Sequence, residues 1–463
     1  MNKIVNKPTK TLLQITLISG LLLLFSCRNN TPELTFDQQR DAILAQIKAP
    51  EYPTEQVLIT DFGAVGDSLT DCKPAFDAAL LKAKETAGGL RIVVPAGIYL
   101  INGPVHLVSG VCLDLQEGAR LKFSGEPANF LPVVKTSWEG TFLYNYSPMI
   151  YAYGAHNVII TGKGIIDGNA AATFSTWRPL QKEDQMLSRK MNHQSVPVEE
   201  RIFGKGHFLR PHLIQFFECK NILIEGVHIT NSPFWCVHLL KSENITVRSI
   251  SFNATNVNND GVNPEYSRNV LIENIEFNNG DDNVAIKAGR DYEGRATAIP
   301  TENIVIRNNR FKGLHAVVIG SEMSAGVQNV FVENNTFAGY CKRGIYMKSN
   351  PDRGGFMRNI HVRNLELDEV EDLFYITSFY HGQGEGYSTK IENISIENVR
   401  CRKARKGGII IQGFPTEKVR DISFHNISID SVAIGISVNH VENITFSDVN
   451  IGGKVMEMPS FAH

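Results

Sequence analysis

Nine times between Asn157 and Ile451 the chain repeats one phrase: Asn, three alternating β-formers, a polar break, then a second short strand. Copies begin at Asn157 (NVIITGKGIID), Asn221 (NILIEGVHIT), Asn244 (NITVRSISF), Asn269 (NVLIENIEF) and Asn303 (NIVIRNNRF). Others begin at Asn329 (NVFVENNTF), Asn359 (NIHVRNLEL), Asn393 (NISIENVRC) and Asn443 (NITFSDVNI), while Asp421 (DISFHNISI) fills the slot without the Asn. The later copies are roughly 22 to 34 residues apart, the spacing of solenoids whose units bury apolar faces against their neighbours. Alternation at period two buries one face of each short strand. Several strands per turn, polar corners and no long helical period make this an all-β chain, a parallel β-helix. The recurring Asn is expected to stack at one corner, its amide bonded to the coils above and below. Several of these Asn lie in N-x-[ST] sequons, where the ladder is the stronger reading.

The same solid begins at Val57 and runs through Phe123. Within it, Pro74 to Ala87 carries helical apolar spacing (Phe76, Ala79, Leu80, Ala83) and stops at Gly88-Gly89. That helix is expected to cap the amino-terminal end, whose strand edges would otherwise be bare. Residues 170–210 are polar and unpatterned, with Trp177, His193 and His207, and read as a long loop beside a cleft. Residues 56–463 therefore read as one domain.

Ahead of it, Lys3, Lys7 and Lys10 precede a mostly apolar Leu12–Leu24 and the tetrad Leu24-Phe25-Ser26-Cys27. Residues 1–27 read as an export signal, too short and wrongly flanked for a membrane span. Its ending is that of a bacterial lipobox, in which Cys27 becomes the lipid-modified amino terminus; an ordinary signal peptide with a chance Cys is the rival. Export to the outer membrane or periplasm follows, with membrane attachment by lipid alone. Residues 28–55 are polar and Pro-punctuated, with one helical patch from Asp37 to Ile47, and read as a tether.

Charge narrows the partners. The 46 Lys and Arg nearly balance 48 Asp and Glu, so no charge field points to nucleic acid. Six of the seven cysteines lie beyond Cys27, none in a C-x-x-C pair or at metal-ligand spacing with His. They read as buried thiols, with a Cys219–Cys236 disulfide as the alternative. No metal or cofactor is expected, and stacked coils can remain monomeric.

Chemistry concentrates between Asn258 and Arg290. Asp260 lies in Asn-Asn-Asp-Gly, and the Asp281–Asp282 pair follows Gly280 about 21 residues later, close to one repeat. Three carboxylates from adjacent coils should then meet on one outer face. Crowded anions repel, so one of them is expected to hold a proton at a pH where the others are ionised. That is the equipment of glycosidic hydrolysis: one carboxyl protonates the leaving oxygen and another carboxylate activates water. Turn-forming Asp beside Gly is the bland reading of each cluster taken alone.

From Val57 to about Ile451 the chain resembles glycoside hydrolase family 28, the polygalacturonase group of pectin-degrading enzymes. The opening ITDFGAVGD, NSPFWCVH (Asn231–His238), NNDG, GDDNVAIKAGRD and IGSE (Ile319–Glu322) carry the likeness. The resemblance implies a single-stranded, right-handed parallel β-helix of the pectin-lyase type, a pectic substrate and inversion at the anomeric carbon. It implies Asp281 as general acid, with Asp260 and Asp282 holding and deprotonating the water. Carboxylates on neighbouring coils would sit closer than the usual inverting pair.

Two departures from the family pattern stand out. The family's Gly-His-Gly falls at Gly313-Leu314-His315-Ala316; a short spacer places the His at His315, a longer one at Leu314. The family's Arg-x-Lys, which grips a galacturonate carboxylate, aligns with Tyr346-Met347-Lys348. A Tyr offers a ring and one hydroxyl where an Arg offers a fork. Tyr346 is therefore expected to face a neutral sugar such as rhamnose, which would favour rhamnogalacturonan. Lys348, Lys287, Arg290 and Asn259 complete the expected substrate-binding set; Trp235 and His238 read equally as core. Two rivals remain: a calcium-dependent pectate lyase, and a catalytically dead β-helix that only binds polysaccharide.

Overall fold

Each Asn heading a repeat, and Asp421 with them, sits at a φ between +52° and +58°. Asparagine tolerates this left-handed region better than other side-chain-bearing residues, and it lets the chain turn a corner at the same point of every coil. From Asn221 to Asn393 each Nδ2 donates to the Oδ1 of the Asn one coil before, beginning with Asn157 as acceptor, at 2.8–3.4 Å. Asp421, which lacks an amide donor, still accepts from Asn443 at 3.0 Å. A second ladder joins Asn334, Asn364, Asn398 and Asn426 at 2.8–3.2 Å, again at positive φ.

This computed structural model describes residues 34–382 and 384–456. The export signal and Cys27 lie outside the described residues. The fold is the expected parallel β-helix, with stacked strands in one register. Ile224, Val247, Ile272, Ile306, Val332, Val362 and Ile396 form one inward column, one residue per coil. Phe252, Phe277, Phe311 and Phe337 form another, with ring centroids 5.1–5.3 Å apart. The capping helix spans Lys73–Glu85, burying Phe76, Ala79, Leu80 and Ala83. Gly88 and Gly89 follow it at φ +98° and +88°.

Within the segment read as a tether, Phe36–Leu44 is helical and packed on the solenoid. The repeats at Asn269, Asn303 and Asn329 each carry an apolar residue that points outward: Leu271, Val305 and Phe331. Ile43 and Phe36 cover that stripe. Beside it, buried Glu333 accepts from Arg40 at 2.8 Å and from Arg363 at 2.7 Å. The six described cysteines are free, buried thiols, so no Cys219–Cys236 disulfide forms.

Phe311→Ala empties one place in a continuous ring stack and should cost about 3–5 kcal/mol. Ile43→Ala loosens the docked helix and should cost about 2 kcal/mol. Urea unfolding of each variant checks both values.

Candidate active site

Val237, Val262 and Val284 stack in register. The residues two places earlier, Trp235, Asp260 and Asp282, therefore share one column, which continues through His315 and Arg343 on the next coils. Asp281 flanks Asp282 at the corner. Two glycines permit the close approach of these coils. A Cβ on Gly261 would lie 2.4 Å from Asn283 O, and one on Gly280 would lie 2.3 Å from Asn256 O. The Asp-Gly and Gly-Asp pairs thus mark coil-to-coil contact, with Gly261 N donating to Asp282 O at 2.9 Å.

The three carboxyls have different surroundings. Asp282 is held on both oxygens: His315 Nδ1 lies 2.6 Å from Oδ1, and Lys348 Nζ donates to Oδ2 at 3.0 Å. Burial would raise its pKa, but the Lys348 ammonium and His315 outweigh burial and hold it well below the usual carboxylate range. Asp281 has no cation bonded to it among the described residues and accepts one long bond, 3.3 Å, from Asn258 Nδ2. Burial, then the neighbouring Asp282 charge, push it up to about 6. Asp260 is 3 % exposed, with Lys287 Nζ 3.7 Å away. Burial, then the charge of Asp281, raise it well above the ordinary value. The trio is one firm anion beside two carboxyls that compete for a proton.

These groups open into a cavity of about 420 Å³ that is also lined by Lys287, Arg290, Glu322 and Lys348. Glu322 accepts from Lys287 Nζ at 3.2 Å, Arg290 Nη2 at 3.3 Å and Ser321 Oγ at 3.1 Å. Burial opposes its ionisation, yet Lys287, Arg290 and Arg353 keep it far below its ordinary value. Glu322 was not singled out as a site residue from sequence. The Glu sits in the family-like IGSE phrase, which was the available signal. Trp235 belongs to both core and site: it stacks on Phe234 at 5.2 Å and lies under Lys287 Nζ at 4.5 Å.

Residues 170–210 stand beside the cavity as expected, but not as a loop. Lys182–His193 is a helix whose buried stripe is polar: Asp184, Ser188 and Asn192. Hydrophobic periodicity is blind to such a helix. Asp184 accepts from Phe208 N at 2.6 Å and pairs with His207 at 2.7 Å. Asn192 donates to Thr141 Oγ1 at 2.9 Å and Arg290 O at 3.0 Å, and accepts from Glu293 N at 3.1 Å. Helix and solenoid are therefore tied through Arg290.

Of the two spacer choices, the structure places His315 against the carboxylates. Leu314 is elsewhere, its carbonyl accepting from Cys341. Asn259 is fully buried and gives its amide to Ser232 O and Phe234 O at 2.8 and 2.9 Å, which makes it scaffold. Tyr346 does not meet the expectation of a sugar contact. It is 4 % exposed and does not line the cavity. Its ring lies beneath the Arg343 guanidinium at 4.4 Å, with His315 edge-on at 5.4 Å. An Arg at this position would be buried beside Arg343 and Lys348, so the rhamnose argument loses its contact. Asp281, Asp282 and His315 present ligand atoms within 4.8 Å of one another, but Lys348 already supplies the counter-charge at Asp282.

Beneath the site runs a buried chain. Thr136 Oγ1 donates to Gln215 Oε1 at 2.8 Å, and Gln215 Nε2 donates to His238 Nδ1 at 2.8 Å. That fixes the tautomer, so His238 Nε2–H donates to Glu265 Oε2 at 2.8 Å. Glu265 also accepts from Ser137 Oγ at 3.3 Å and Gly289 N at 3.2 Å. Burial lowers His238 to about 3 and raises Glu265 to about 7. The pair holds the backbone just before Arg290.

A family model described as "Glycosyl hydrolases family 28" matches residues 91–450. Among solved structures, the hyperthermoactive exopolygalacturonase from Thermotoga maritima is similar, at 36% identity and a TM-score of 0.80, covering 88% of this chain and 96% of that one. The endo-polygalacturonase of Pectobacterium carotovorum subsp. carotovorum is 27% identical over 370 residues, 76% of this chain and 84% of that protein. A probable polygalacturonase of Vitis vinifera is 29% identical over 392 residues, 81% of this chain and 74% of that protein.

Glu265→Leu leaves His238 Nε2, Ser137 Oγ and Gly289 N without the partner they have now and should cost about 3 kcal/mol or more. Urea unfolding measures the loss, and KM should rise because Gly289 and Arg290 lose their support.

Proposed function

The chain belongs to glycosyl hydrolases family 28, and from that premise we propose that it cleaves α-galacturonosidic bonds in pectic chains with inversion. The observation that carries the reading is the split among the three carboxyls: one fixed anion and one half-exposed acid at the mouth of a cation-lined cavity. Asp281 gives its proton to the glycosidic oxygen as the bond to the anomeric carbon breaks. Water adds to that carbon from the opposite face, and Asp282 takes the proton that the water loses. Asp260, directly beneath, holds the water with it. The products are a new hydroxyl on the leaving chain and a reducing end of inverted configuration. His315 and Lys348 keep Asp282 anionic; Lys348, Lys287 and Arg290 draw the uronate carboxylate into the cavity. Polygalacturonate is the substrate this supports, since Tyr346 offers no surface to a neutral sugar.

The helical insertion and the Val134–Asn145 hairpin wall the site on one side, and Tyr380 and His381 line it too. A walled pocket favours attack at a chain end, the mode named for the Thermotoga maritima relative. Export behind a lipid on Cys27 fits a monomer acting on pectic oligosaccharides outside the cytoplasm, in the periplasm or at the outer membrane. The lyase rival needs a divalent cation among the carboxylates, where two lysines already stand. The binding-only rival is tested by turnover itself.

Asp281→Asn should lower kcat on oligogalacturonate about 10²- to 10⁴-fold, the usual worth of a general acid. Reducing-end release checks this, and NMR of the nascent product checks inversion. Wild-type activity should fall as pH rises through about 6, because Asp281 loses the proton it must donate. The Lys348 charge lowers both Asp281 and Asp282. Lys348→Met should therefore move both limbs of the pH profile upward while reducing kcat. A downward or absent shift would refute the assignment.

A further inference from the structure

The helical insertion turns a second set of cations toward the cavity. Arg178, Lys182, Gln185 and Arg189 all line it. Their spacing of four, three and four residues is that of one helix face, carried one turn ahead of Lys182–His193. The lower half of this face is occupied: Gln185 and Arg189 both bond Glu139, at 2.9–3.0 Å. The upper half is not. Among the described residues, neither Arg178 nor Lys182 makes an ion pair or a side-chain hydrogen bond, and both are exposed.

That sets them apart from the cations on the solenoid side of the cavity. Lys348 is bonded to Asp282, Lys287 and Arg290 to Glu322, and Arg353 to Asp291. Arg178 and Lys182 are also firmly carried. Trp177, just before Arg178, is buried against Phe174, Tyr146 and Phe208. Gln181, just before Lys182, is 1 % exposed and accepts from Arg210 Nε at 2.8 Å. Arg210 in turn donates to Asn258 Oδ1 at 2.7 Å, and Asn258 bonds Asp281. A short chain of hydrogen bonds thus runs from Gln181, the residue before Lys182, to the proposed acid.

We propose that Arg178 and Lys182 form a second carboxylate-binding position, which takes the uronate next to the one held on the solenoid side. The enzyme then selects runs of consecutive uronates over chains in which uronate alternates with a neutral sugar. This rests on the hydrolase reading above and names the substrate class for that same site.

The test compares wild type, Arg178→Gln/Lys182→Gln and the charge-retaining Arg178→Lys/Lys182→Arg on trigalacturonate and on rhamnogalacturonan oligomers. The Gln pair should raise KM on trigalacturonate roughly 10- to 100-fold with little change in kcat, as expected for loss of charge-assisted bonds made equally in both states. The salt dependence of KM should flatten, and the charge-retaining pair should recover most of the loss. An unchanged KM in the Gln pair, with an active wild type, overturns the inference. A wild type that prefers rhamnogalacturonan overturns it as well. Should the wild type turn over neither substrate, the hydrolase reading fails separately. Calorimetric binding of trigalacturonate then decides: binding weakened in the Gln pair supports the cation site, and equal or absent binding overturns it.

Discussion

Register between coils is the constraint on which everything else in this molecule depends. Each coil must return to the same corner at the same residue, and the left-handed Asn with its amide bonded to the Asn below sets that point. Once the corner is fixed, every outward side chain has a defined neighbour one coil away. Asp260, Asp282, His315 and Arg343 are far apart in sequence but share one column. A slip of one residue would turn the inward aliphatic column outward and disperse the carboxyls together. Stability and chemistry thus rest on the same hydrogen bonds.

Within that frame, the site gains its differences from what each coil contributes beside the carboxyls. Asp282 receives His315 from the next coil and Lys348 from the one after, and these two hold it anionic against its burial. Asp281, at the corner, has no bonded cation among the described residues and receives the amide of Asn258. Two adjacent residues of the same type therefore acquire opposite protonation preferences from their vertical neighbours rather than from their own backbone. Glu265 and His238 sit in the layer below and act on none of these atoms. They fix the segment that carries Lys287 and Arg290, and through Ser137 they also fix the hairpin that carries Glu139.

How much of this was legible follows from the kind of signal each part carries. The solenoid, the capping helix and the carboxylate trio could be read directly, because period-two alternation and repeat spacing survive in a single sequence. His315 needed the fold to separate it from Leu314, since sequence spacing alone admitted both. Tyr346 misled because a position within an aligned motif does not report whether the side chain reaches the cavity; here Arg343 covers it. The insertion helix was hidden by its polar buried stripe, Asp184, Ser188 and Asn192. The docked Phe36–Leu44 helix, by contrast, had left a trace. Leu271, Val305 and Phe331 make three consecutive repeats apolar at an outward position, where Thr246, His361 and Ser395 are polar in the same column. An apolar outward stripe requires a cover, and the cover was the segment read as a tether.

The cavity's charges point to its ligand by their pairing more than by their number. Buried cations are costly unless compensated, and here Glu322 compensates two of them while Asp282 compensates a third. A ligand carboxylate entering this region does not meet bare charge. It joins an existing network in which Lys287, Arg290 and Lys348 retain further donor hydrogens, so the network can accept it without first reorganising. A neutral sugar gains little from such donors and would still have to displace their water. On the proposed reading this charge pattern would favour uronates even though the acids and bases of the whole chain nearly cancel. Selectivity of this kind is set by local compensation, and net charge does not reveal it.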